Sequence, residues 1–201
     1  KCLSVNPGYV SNGDLHVYNI AINGKALPYP KILTDFDNET RSTTAPDIGS
    51  DEFLPSTTDA GVSAIDSPRL FCAGKQVVKV KFQNFGFDTI KSIQIGWSVN
   101  GVTQTGVSWT GSLASGLSSA SVSLGNYSFS GNTAYDFKIW TYNPNSIADG
   151  KTLNDTIKLT KYAALSGNYT IGDTNIANYK TFNQAITAMA ERGICGAVTF
   201  N

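Results

Sequence analysis

The chain has a single histidine, which limits the nucleophilic chemistry open to it. His16 stands in the alternating stretch Leu15-His16-Val17-Tyr18, which is typical of a strand. A catalytic set of the Ser/His/Asp or Cys/His kind would have to use this residue. A lone histidine in a strand is more often a packed or solvent-facing side chain. We therefore predict a structural role for His16 and no catalytic residues in the chain.

Two short acidic stretches carry oxygen ligands of the kind that Ca²⁺ prefers. The first contains Asp35, Asp37, Asn38 and Glu39, and the second contains Asp149, Asn154 and Asp155. The first stretch lacks the glycine and the distal glutamate of an EF-hand loop. We predict acidic turns and no resident cofactor, and the candidate Ca²⁺ ligands are Asp35, Asp37, Asp149 and Asp155.

Three aromatic residues are candidates for contact with a sugar ring or a partner. They are Trp109, Trp140 and Tyr142. The last two fall on the strand face opposite to the apolar positions Tyr135, Phe137 and Ile139, so a strand there exposes them. In a chain of adjoining modules such residues more often pack against the neighbouring module. Trp140 and Tyr142 are therefore candidate glycan or partner contacts, with packing as the alternative.

Composition excludes several classes of partner. Lysine plus arginine equals aspartate plus glutamate, at 15 each, so no basic surface is available to neutralise nucleic-acid phosphates. No apolar run approaches the roughly 20 residues that span a bilayer. No signal peptide begins at Lys1, so any export signal is expected outside this segment. The low charged fraction of 15% and the 19 glycines suit strands joined by tight turns.

The middle of the chain, from 56 to 162, alternates apolar and polar residues with period two. The apolar positions of the clearest runs are Val78, Val80, Phe82, Ile93, Ile95, Trp97, Val99, Ala120, Val122, Leu124, Tyr135, Phe137 and Ile139. Such alternation predicts half-buried antiparallel strands. About seven strands fit, with Trp97 in the core on the third, so the sequence predicts an immunoglobulin-like sandwich. Asn100-Gly101 predicts a hairpin turn after that strand.

Several motifs of this middle segment resemble CARDB-type domains of Bacteroidetes surface proteins. The resemblance lies in Gln83-Asn84-Phe85-Gly86, Trp97-Ser98-Val99-Asn100-Gly101, Trp109-Thr110-Gly111-Ser112-Leu113 and Tyr142-Asn143-Pro144-Asn145. Such domains are immunoglobulin-like adhesion or spacer modules. The resemblance implies an extracellular module and does not indicate a ligand.

The first segment, 1–55, is similar to the last coils of a right-handed parallel β-helix. The similarity lies in Asp14-Leu15-His16-Val17, Ala21-Ile22-Asn23-Gly24, Asp35-Phe36-Asp37-Asn38 and Pro46-Asp47-Ile48-Gly49-Ser50-Asp51-Glu52-Phe53. The end of such a solenoid requires a polar cap, because its last coil has no neighbour to pair with. Arg41 among Asp47, Asp51 and Glu52 predicts a charge-paired closing loop.

The last segment, 163–201, carries one helical pattern followed by a strand. Apolar residues spaced 3, 4 and 3 apart form one stripe: Tyr179, Phe182, Ile186 and Met189. Asn178 is the expected N-cap and Gly193 the expected stop. The order Asn168-Tyr169-Thr170-Ile171-Gly172, then the helix, then Gly193-Ile194-Cys195-Gly196-Ala197-Val198 resembles the helix-capped start of a second β-helix. The alternative is a small βα unit packed on the sandwich.

Three cysteines, Cys2, Cys72 and Cys195, fall in three different segments. Their connectivity cannot be deduced from sequence. An odd number favours a free cysteine, or pairing with cysteines outside this segment, over a Cys2–Cys195 bridge. Neither a CxxC pair nor a Cys/His zinc spacing is present.

Two three-residue stretches resemble the O-glycosylation signal of Bacteroidetes. These are Asp88-Thr89-Ile90 and Asp155-Thr156-Ile157, with Thr89 and Thr156 as the acceptors. The alternative is an ordinary strand edge.

The combined resemblances imply a non-catalytic linker of a large modular adhesin, exported by type IX secretion and acting in gliding motility or surface attachment. Its expected partners are the adjacent modules, surface glycans and, for the parent protein, the secretion machinery. Two alternatives remain: an accessory part of a carbohydrate-active β-helix enzyme, and a carbohydrate-binding module. Catalysis inside this piece is disfavoured, because lyase grooves lie on the middle coils of a β-helix rather than on terminal ones.

Overall fold

A computed structural model of the protein describes residues 3–17 and 19–201. The first segment begins with an antiparallel pair, β1 (Tyr9–Ser11) and β2 (Asp14–Val17). A short 3-10 helix follows at Ile20–Ile22, and a single bridge joins Thr34 to Thr40. A small core of Val17, Ile22 and Phe53 holds this segment together.

Two antiparallel sheets form a sandwich between residues 60 and 162. The first sheet contains, in sequence order, β3 (Ala60–Ser67), β4 (Gly74–Asn84) and β8 (Val122–Phe129), with β4 in the middle. The second contains β5 (Ile90–Val99), β6 (Val102–Thr103), β7 (Val107–Leu113), β9 (Ala134–Tyr142) and β10 (Thr156–Tyr162). Strand β9 lies between β10 and β5, and β5 pairs with β6 and β7 on its other edge.

The inward faces of the two sheets form one core, as the period-two pattern predicts. The buried set includes Val78, Val80, Phe82, Ile93, Ile95, Trp97, Val99, Leu124, Tyr135, Phe137 and Ile139. Full burial of each large apolar side chain contributes about 1.5–3 kcal/mol. Trp97 lies in this core as predicted, and its indole N–H donates to the Thr105 carbonyl at 2.9 Å.

The Asn100-Gly101 hairpin turn is confirmed, and the prediction for Ala120 is wrong. Asn100 and Gly101 have φ of 50° and 77°, and Val99 pairs with Val102 across the turn. Ala120 is exposed, because β8 begins only at Val122. Ser119, just before it, exchanges hydrogen bonds with the backbone of β4.

The last segment is a βαβ unit. Strand β11 (Leu165–Tyr169) pairs in parallel with β12 (Ile194–Phe200), and α1 (Phe182–Arg192) connects them. The helix ends at Gly193, as predicted, with φ of 77°.

The structure differs from the predicted N-cap of the helix and from part of its predicted apolar stripe. Thr181, not Asn178, is the N-cap, and its hydroxyl accepts from the Gln184 N–H at 3.2 Å. The small residues Ala185 and Ala188 face the strands and bring the helix close to them, whereas Phe182 and Ile186 are 62% and 49% exposed. Two members of the stripe pack as expected, since Tyr179 and Met189 contact the core of Leu165 and Tyr169.

The β-helix assignment of the two flanks stays a prediction. Within the described residues up to 55, the pairing is antiparallel, between β1 and β2 and between Thr34 and Thr40. The closing loop does form around Arg41, whose guanidinium lies 3.4 Å from the Glu52 carboxylate and donates to the carbonyls of Asp47 and Gly49.

Gly96 on β5 provides a direct test of packing on the outer face of the second sheet. A methyl group at this position would lie 2.3–2.6 Å from the Trp140 indole. We expect Gly96→Ala to lower the free energy of unfolding by about 1–3 kcal/mol, measured by urea denaturation. Gly131→Ala, in open space, is the control. If Gly96→Ala lowers the free energy of unfolding by the same amount in a Trp140→Ala background, this packing is contradicted. That background has no indole for the added methyl group to clash with.

Candidate functional site

The chain enters and leaves the sandwich at opposite ends of its strands. Strand β10 begins directly after Asp155, near the entry of the chain, and ends at Tyr162, near its exit. Its 7 residues rise about 3.3 Å each, so the two junctions lie about 20 Å apart. We call them the entrance corner (residues 56–60, 85–88 and 149–155) and the exit junction (70–72, 162–166 and 193–195).

At the entrance corner, residues 56–59 are hydrogen-bonded to the loop before β5. The Ser56 carbonyl accepts from the Phe87 N–H at 3.1 Å, and the Thr57 carbonyl accepts from the Asp88 N–H at 2.8 Å. The Thr58 carbonyl accepts from the Gly150 N–H at 2.9 Å. Residues 56–59, which we call the linker, are thus hydrogen-bonded to two loops before β3 begins. One is the loop before β5 and the other is the loop before β10.

Close approach at this corner depends on Gly86. A Cβ there would lie 2.7 Å from both the Asp59 nitrogen and the Thr57 oxygen, which are backbone atoms that cannot move aside. Gly86 N–H also donates to the Asp59 carbonyl at 3.1 Å. A side chain at this position would separate the linker from the loop.

The entrance corner contains four aspartates. Asp59, Asp149 and Asp155 are close enough to interact electrostatically, whereas Asp88 is exposed. Asp59 and Asp155 are 1% and 8% exposed, and Asp149 is partly exposed. The Asn154 amide donates to Asp59 Oδ1 at 2.8 Å, and the Ala60 N–H donates to Asp149 Oδ2 at 3.0 Å. Candidates Asp149 and Asp155 therefore belong to one cluster, which also contains Asp59.

The carboxyl groups of this corner have raised pKa values because burial disfavours their charged forms. Burial raises the pKa of Asp59 to about 6, against the opposing hydrogen bond from Asn154. Burial, followed by the charges of Asp149 and Asp59, raises the pKa of Asp155 to about 7. The pKa of Asp149 is raised by burial as well.

At the exit junction, a disulfide joins Cys72 to Cys195 across 123 positions of sequence, with Cα atoms 5.5 Å apart. The alternative Cys2–Cys195 pairing is therefore wrong. The expectation that one or more cysteines are free or pair outside this segment does not hold for Cys72 or Cys195, and for Cys2 it stays a prediction. The bridge forms because the βαβ fold returns β12 to the start of β4. Cys2 lies outside the described residues.

Hydrogen bonds reinforce this bridge. The Ala164 N–H donates to the Phe71 carbonyl at 2.8 Å, and the Leu165 N–H donates to the Gly193 carbonyl at 2.9 Å. The Tyr169 hydroxyl is hydrogen-bonded to the side chain of Asn132, which lies in the turn before β9. The last segment is therefore joined to both sheets of the sandwich.

The candidate ligands of the first segment occupy two different settings. Asp35 accepts three backbone N–H groups, from Asp37, Glu39 and Glu52, at 2.8–3.2 Å, so it braces its loop. Asp37 Oδ2 lies 3.0 Å from His16 Nε2.

His16 belongs to a cluster of donors on strand β2 and two loops. One donor atom each from His16, Asp37 and Asp51 lies within 4.8 Å of the others, a spacing that a metal ion can bridge. The Asp14 hydrogen bond at 2.6 Å is the largest cause that raises the pKa of His16, followed by that of Asp37. All three cluster members already have partners, since Asp51 accepts from the Val17 N–H at 2.7 Å. The cluster is thus a charge-paired network around His16.

The aromatic candidates divide between core and surface. Trp109 packs edge-on against Phe82, 5.0 Å between centroids, so it extends the core. Trp140 is half-buried over Gly96, with the Lys138 ammonium 5.1 Å from its ring centre, and Tyr142 is exposed nearby on the same strand. The structure thus brings Trp140 and Tyr142 to one outer face, as predicted.

The two glycosylation candidates differ in accessibility. Thr156, at the start of β10, is exposed, but the aspartate of its motif, Asp155, is buried. Thr89 is half-buried, and its carbonyl accepts from the Asn145 amide at 3.0 Å. Glycosylation of either residue stays a prediction.

A groove of about 550 Å³ lies in the first segment. Its apolar lining includes Leu27, Tyr29, Ile32, Leu33 and Ile48. Two charged residues also line it, Arg41 and Asp47, and both are engaged in the closing loop. The groove therefore offers apolar contact rather than charged groups free for catalysis.

Sequence reasoning missed Asp59 and Thr58 as members of the entrance corner. A signal existed in the sequence: Asp59 directly precedes β3, and Asp155 directly precedes β10. These strands form neighbouring edges of the two sheets and begin at the same end of the sandwich. Recognising the cluster required that arrangement, which alternation alone does not supply.

No family model and no curated protein matches the chain. Among solved structures, it is similar to the CARDB domain of a Pyrococcus furiosus protein in complex with di-metal ions, with 16% identity and a TM-score of 0.45 over 57% of this chain and all of that one. It is also similar to a domain of a Methanosarcina acetivorans protein assigned to the cell surface, with 15% identity and a TM-score of 0.42 over 62% and 98%.

A more distant likeness is to a Listeria innocua β-glucosidase in complex with gluconolactone, with 12% identity and a TM-score of 0.28 over 72% of this chain and 23% of that one. The chain's own strands and core form an immunoglobulin-like sandwich of two antiparallel sheets. Among the described residues, no helix is long and apolar enough to cross a membrane.

The raised carboxyl pKa values predict an unusual dependence of stability on pH. The folded-state pKa values of Asp59 and Asp155, about 6 and 7, lie above the unfolded value of about 3.9. The folded protein therefore binds more protons between pH 4 and 7, and its stability is lost as pH rises through that window. We expect the melting temperature, in the absence of divalent cations, to increase on acidification from pH 8 to pH 5.

Asp155→Asn removes the buried charge while keeping the shape of the side chain. At pH 8 without divalent cations, we expect this variant to gain about 1–3 kcal/mol in free energy of unfolding and to lose part of the pH dependence. The exposed Asp173→Asn is the control. A destabilised Asp155→Asn with the wild-type pH slope would contradict the assignment.

Proposed function

We propose that this chain is a non-catalytic connecting segment of a modular cell-surface protein. Its work is to hold the parts on either side of the sandwich at a fixed distance and angle. The observation that carries this proposal is the bonding at the exit junction, where the Cys72–Cys195 disulfide and hydrogen bonds join the last segment to the sandwich. A flexible tether would require neither.

The exit junction also has a packed interface. Gly193 lies against Leu70 and Ala164, and the Arg192 guanidinium lies 4.1 Å from the centre of the Tyr162 ring. Cation–π contacts of this kind contribute about 0.5–1 kcal/mol at exposed sites. Covalent, polar and apolar contacts therefore all oppose rotation of the βαβ unit about residues 163–164.

The entrance corner constrains the other side. Residues 56–59 are hydrogen-bonded along their length rather than extended freely, and Ile20 of the first segment reaches the Gly116 turn of the sandwich. With the strands between them, the two junctions form a spacer about 20 Å long.

The distribution of ionisable groups supports a non-catalytic role. The carboxyl groups whose pKa is raised to about 6 and 7 are buried at the entrance corner rather than exposed in a groove. The disulfide supports a location outside the reducing cytoplasm, where such bonds persist.

The finer identity that we propose rests on the resemblances in the sequence. The parent protein would be a secreted adhesin in which β-helices alternate with immunoglobulin-like connectors, exported by type IX secretion for attachment or gliding. The βαβ unit, with a helix beside a parallel strand pair, is compatible with the capped start of such a solenoid. If surface glycans bind here, the outer face with Trp140 and Tyr142 is the proposed contact.

Removal of the disulfide should release the last segment from the sandwich. We expect ¹⁵N relaxation to give one rotational correlation time for residues 60–162 and 165–200 in the oxidised protein. In Cys72→Ala/Cys195→Ala, residues 165–200 should show faster, separate motion. The free energy of unfolding should fall by roughly 3–5 kcal/mol, because the bridge closes a long loop.

Cys2→Ala is the matched control, since it removes a cysteine and leaves the bridge in place. Independent tumbling of the two regions in the oxidised protein would refute the connecting function.

A further inference from the structure

We propose that the entrance corner is a Ca²⁺ site, with Asp155, Asn154 and Thr58 supplying oxygen ligands and Asp59 and Asp149 supplying further negative charge. Ion binding would attach the incoming linker to the start of both edge strands. The binding claim stands without the proposed connecting function, whereas its consequence for stiffness rests on that function.

Unpartnered buried oxygens provide the first argument. In residues 3–17 and 19–201, the buried side-chain nitrogen and oxygen atoms without a hydrogen-bond partner are Thr58 Oγ1, Asn154 Oδ1 and Asp155 Oδ1. All three are oxygens, and all three belong to this corner. Thr58 and Asp155 are 2% and 8% exposed. Buried polar atoms normally have partners, so three unpaired oxygens at one corner favour a bound cation.

The orientation of Asn154 adds to this argument. Its amide nitrogen donates to Asp59 Oδ1 at 2.8 Å, which leaves the amide oxygen without a bond. An asparagine that served only to pair with Asp59 would still require a donor for that oxygen. A cation satisfies it together with the Asp155 carboxylate.

Charge is the second argument. Asp149 and Asp59 both act electrostatically on Asp155, so the three carboxyl groups are close enough to repel one another. Lys151 is the basic residue that acts on Asp59. Three carboxylates and one ammonium group leave an excess of negative charge. A divalent cation neutralises such an excess, and carboxylates that share a cation can all remain ionised.

The donor chemistry favours Ca²⁺ over other ions. The ligand atoms are carboxylate, amide and hydroxyl oxygens, which suit hard cations, and the corner offers no histidine or thiolate for zinc. Ca²⁺ accepts irregular geometry at 2.3–2.6 Å, whereas Mg²⁺ demands a near-ideal octahedron and retains several waters. The three orphan oxygens have almost no surface accessible to water, which disfavours a hydrated ion.

The position of these ligands gives the ion a structural effect. Thr58 belongs to the linker, whereas Asn154 and Asp155 directly precede β10. The Thr141 hydroxyl, on β9, already donates to the Ala60 carbonyl at 2.6 Å, so β3, the edge strand of the first sheet, contacts the second sheet here. An ion held between these residues would fasten the linker to both sheets.

Isothermal titration of the EDTA-treated chain with CaCl₂ at pH 7.5 tests the proposal. We expect one ion per chain, binding at least tenfold weaker in Asp155→Asn, and unchanged binding in Asp37→Asn, which disrupts the His16 cluster instead. Asp155→Asn is expected to fold at least as well as the wild type without calcium, so its loss of binding would not reflect unfolding.

A second measurement distinguishes Ca²⁺ binding from proton binding at the same carboxylates. Millimolar CaCl₂ should raise the melting temperature at pH 8 and raise it less at pH 5.5, since protons compete for the same carboxylates. Absence of binding, or binding lost in Asp37→Asn but kept in Asp155→Asn, would overturn the proposal. If calcium fails to bind while ¹⁵N relaxation still shows one tumbling unit, the connecting function stands and only the ion site falls.

Discussion

The burial of aliphatic and aromatic side chains between the two sheets is the interaction on which the rest of the structure depends. Phe82 and Val80 from the first sheet meet Ile93, Ile95 and Phe137 from the second, and all are almost fully buried. Because tightly packed sheets resist sliding, the ends of their strands keep fixed positions relative to one another. Both junctions are built on those ends, so their geometry follows from the core.

The two junctions use different chemistry for the same purpose. The exit junction is covalent, and its disulfide links residues 123 positions apart. The entrance corner is polar, and it buries charged groups at a cost that their hydrogen bonds only partly offset. Buried charged groups are weak evidence for a stabilising role by themselves. A bound ion would neutralise the buried negative charge and would hold the linker to the sandwich through shared ligands.

Alternation in the sequence was enough to predict most of the sandwich, because Val78 to Phe82 and Ile93 to Val99 obey period two over whole strands. The Asn100-Gly101 turn was equally predictable from its preference for positive φ. The helix start was harder, since Asn178 and Thr181 are both good caps and only tertiary contacts choose between them.

The exit junction and the entrance corner could not be predicted from local sequence patterns, because residues distant in sequence form them. Cys72 and Cys195 meet because β12 returns to β11 through the helix, which no spacing rule predicts. The stretch that holds Asp149 and Asp155 is rich in oxygen ligands in the sequence, but Asp59 and Thr58 join it only in the folded sandwich. Burial, which raises the carboxyl pKa values here, is a property of the assembled fold.

The proposed connecting function requires that the sandwich and the segment after it form one rigid body. Residual dipolar couplings of the oxidised wild-type chain in a dilute aligning medium test it most directly. In a rigid molecule, the amides of residues 60–162 and 165–200 fit a single alignment tensor of one magnitude, and this is the result we expect. Two tensors, with a clearly smaller magnitude for residues 165–200, would show a flexible joint and rule out a rigid connection.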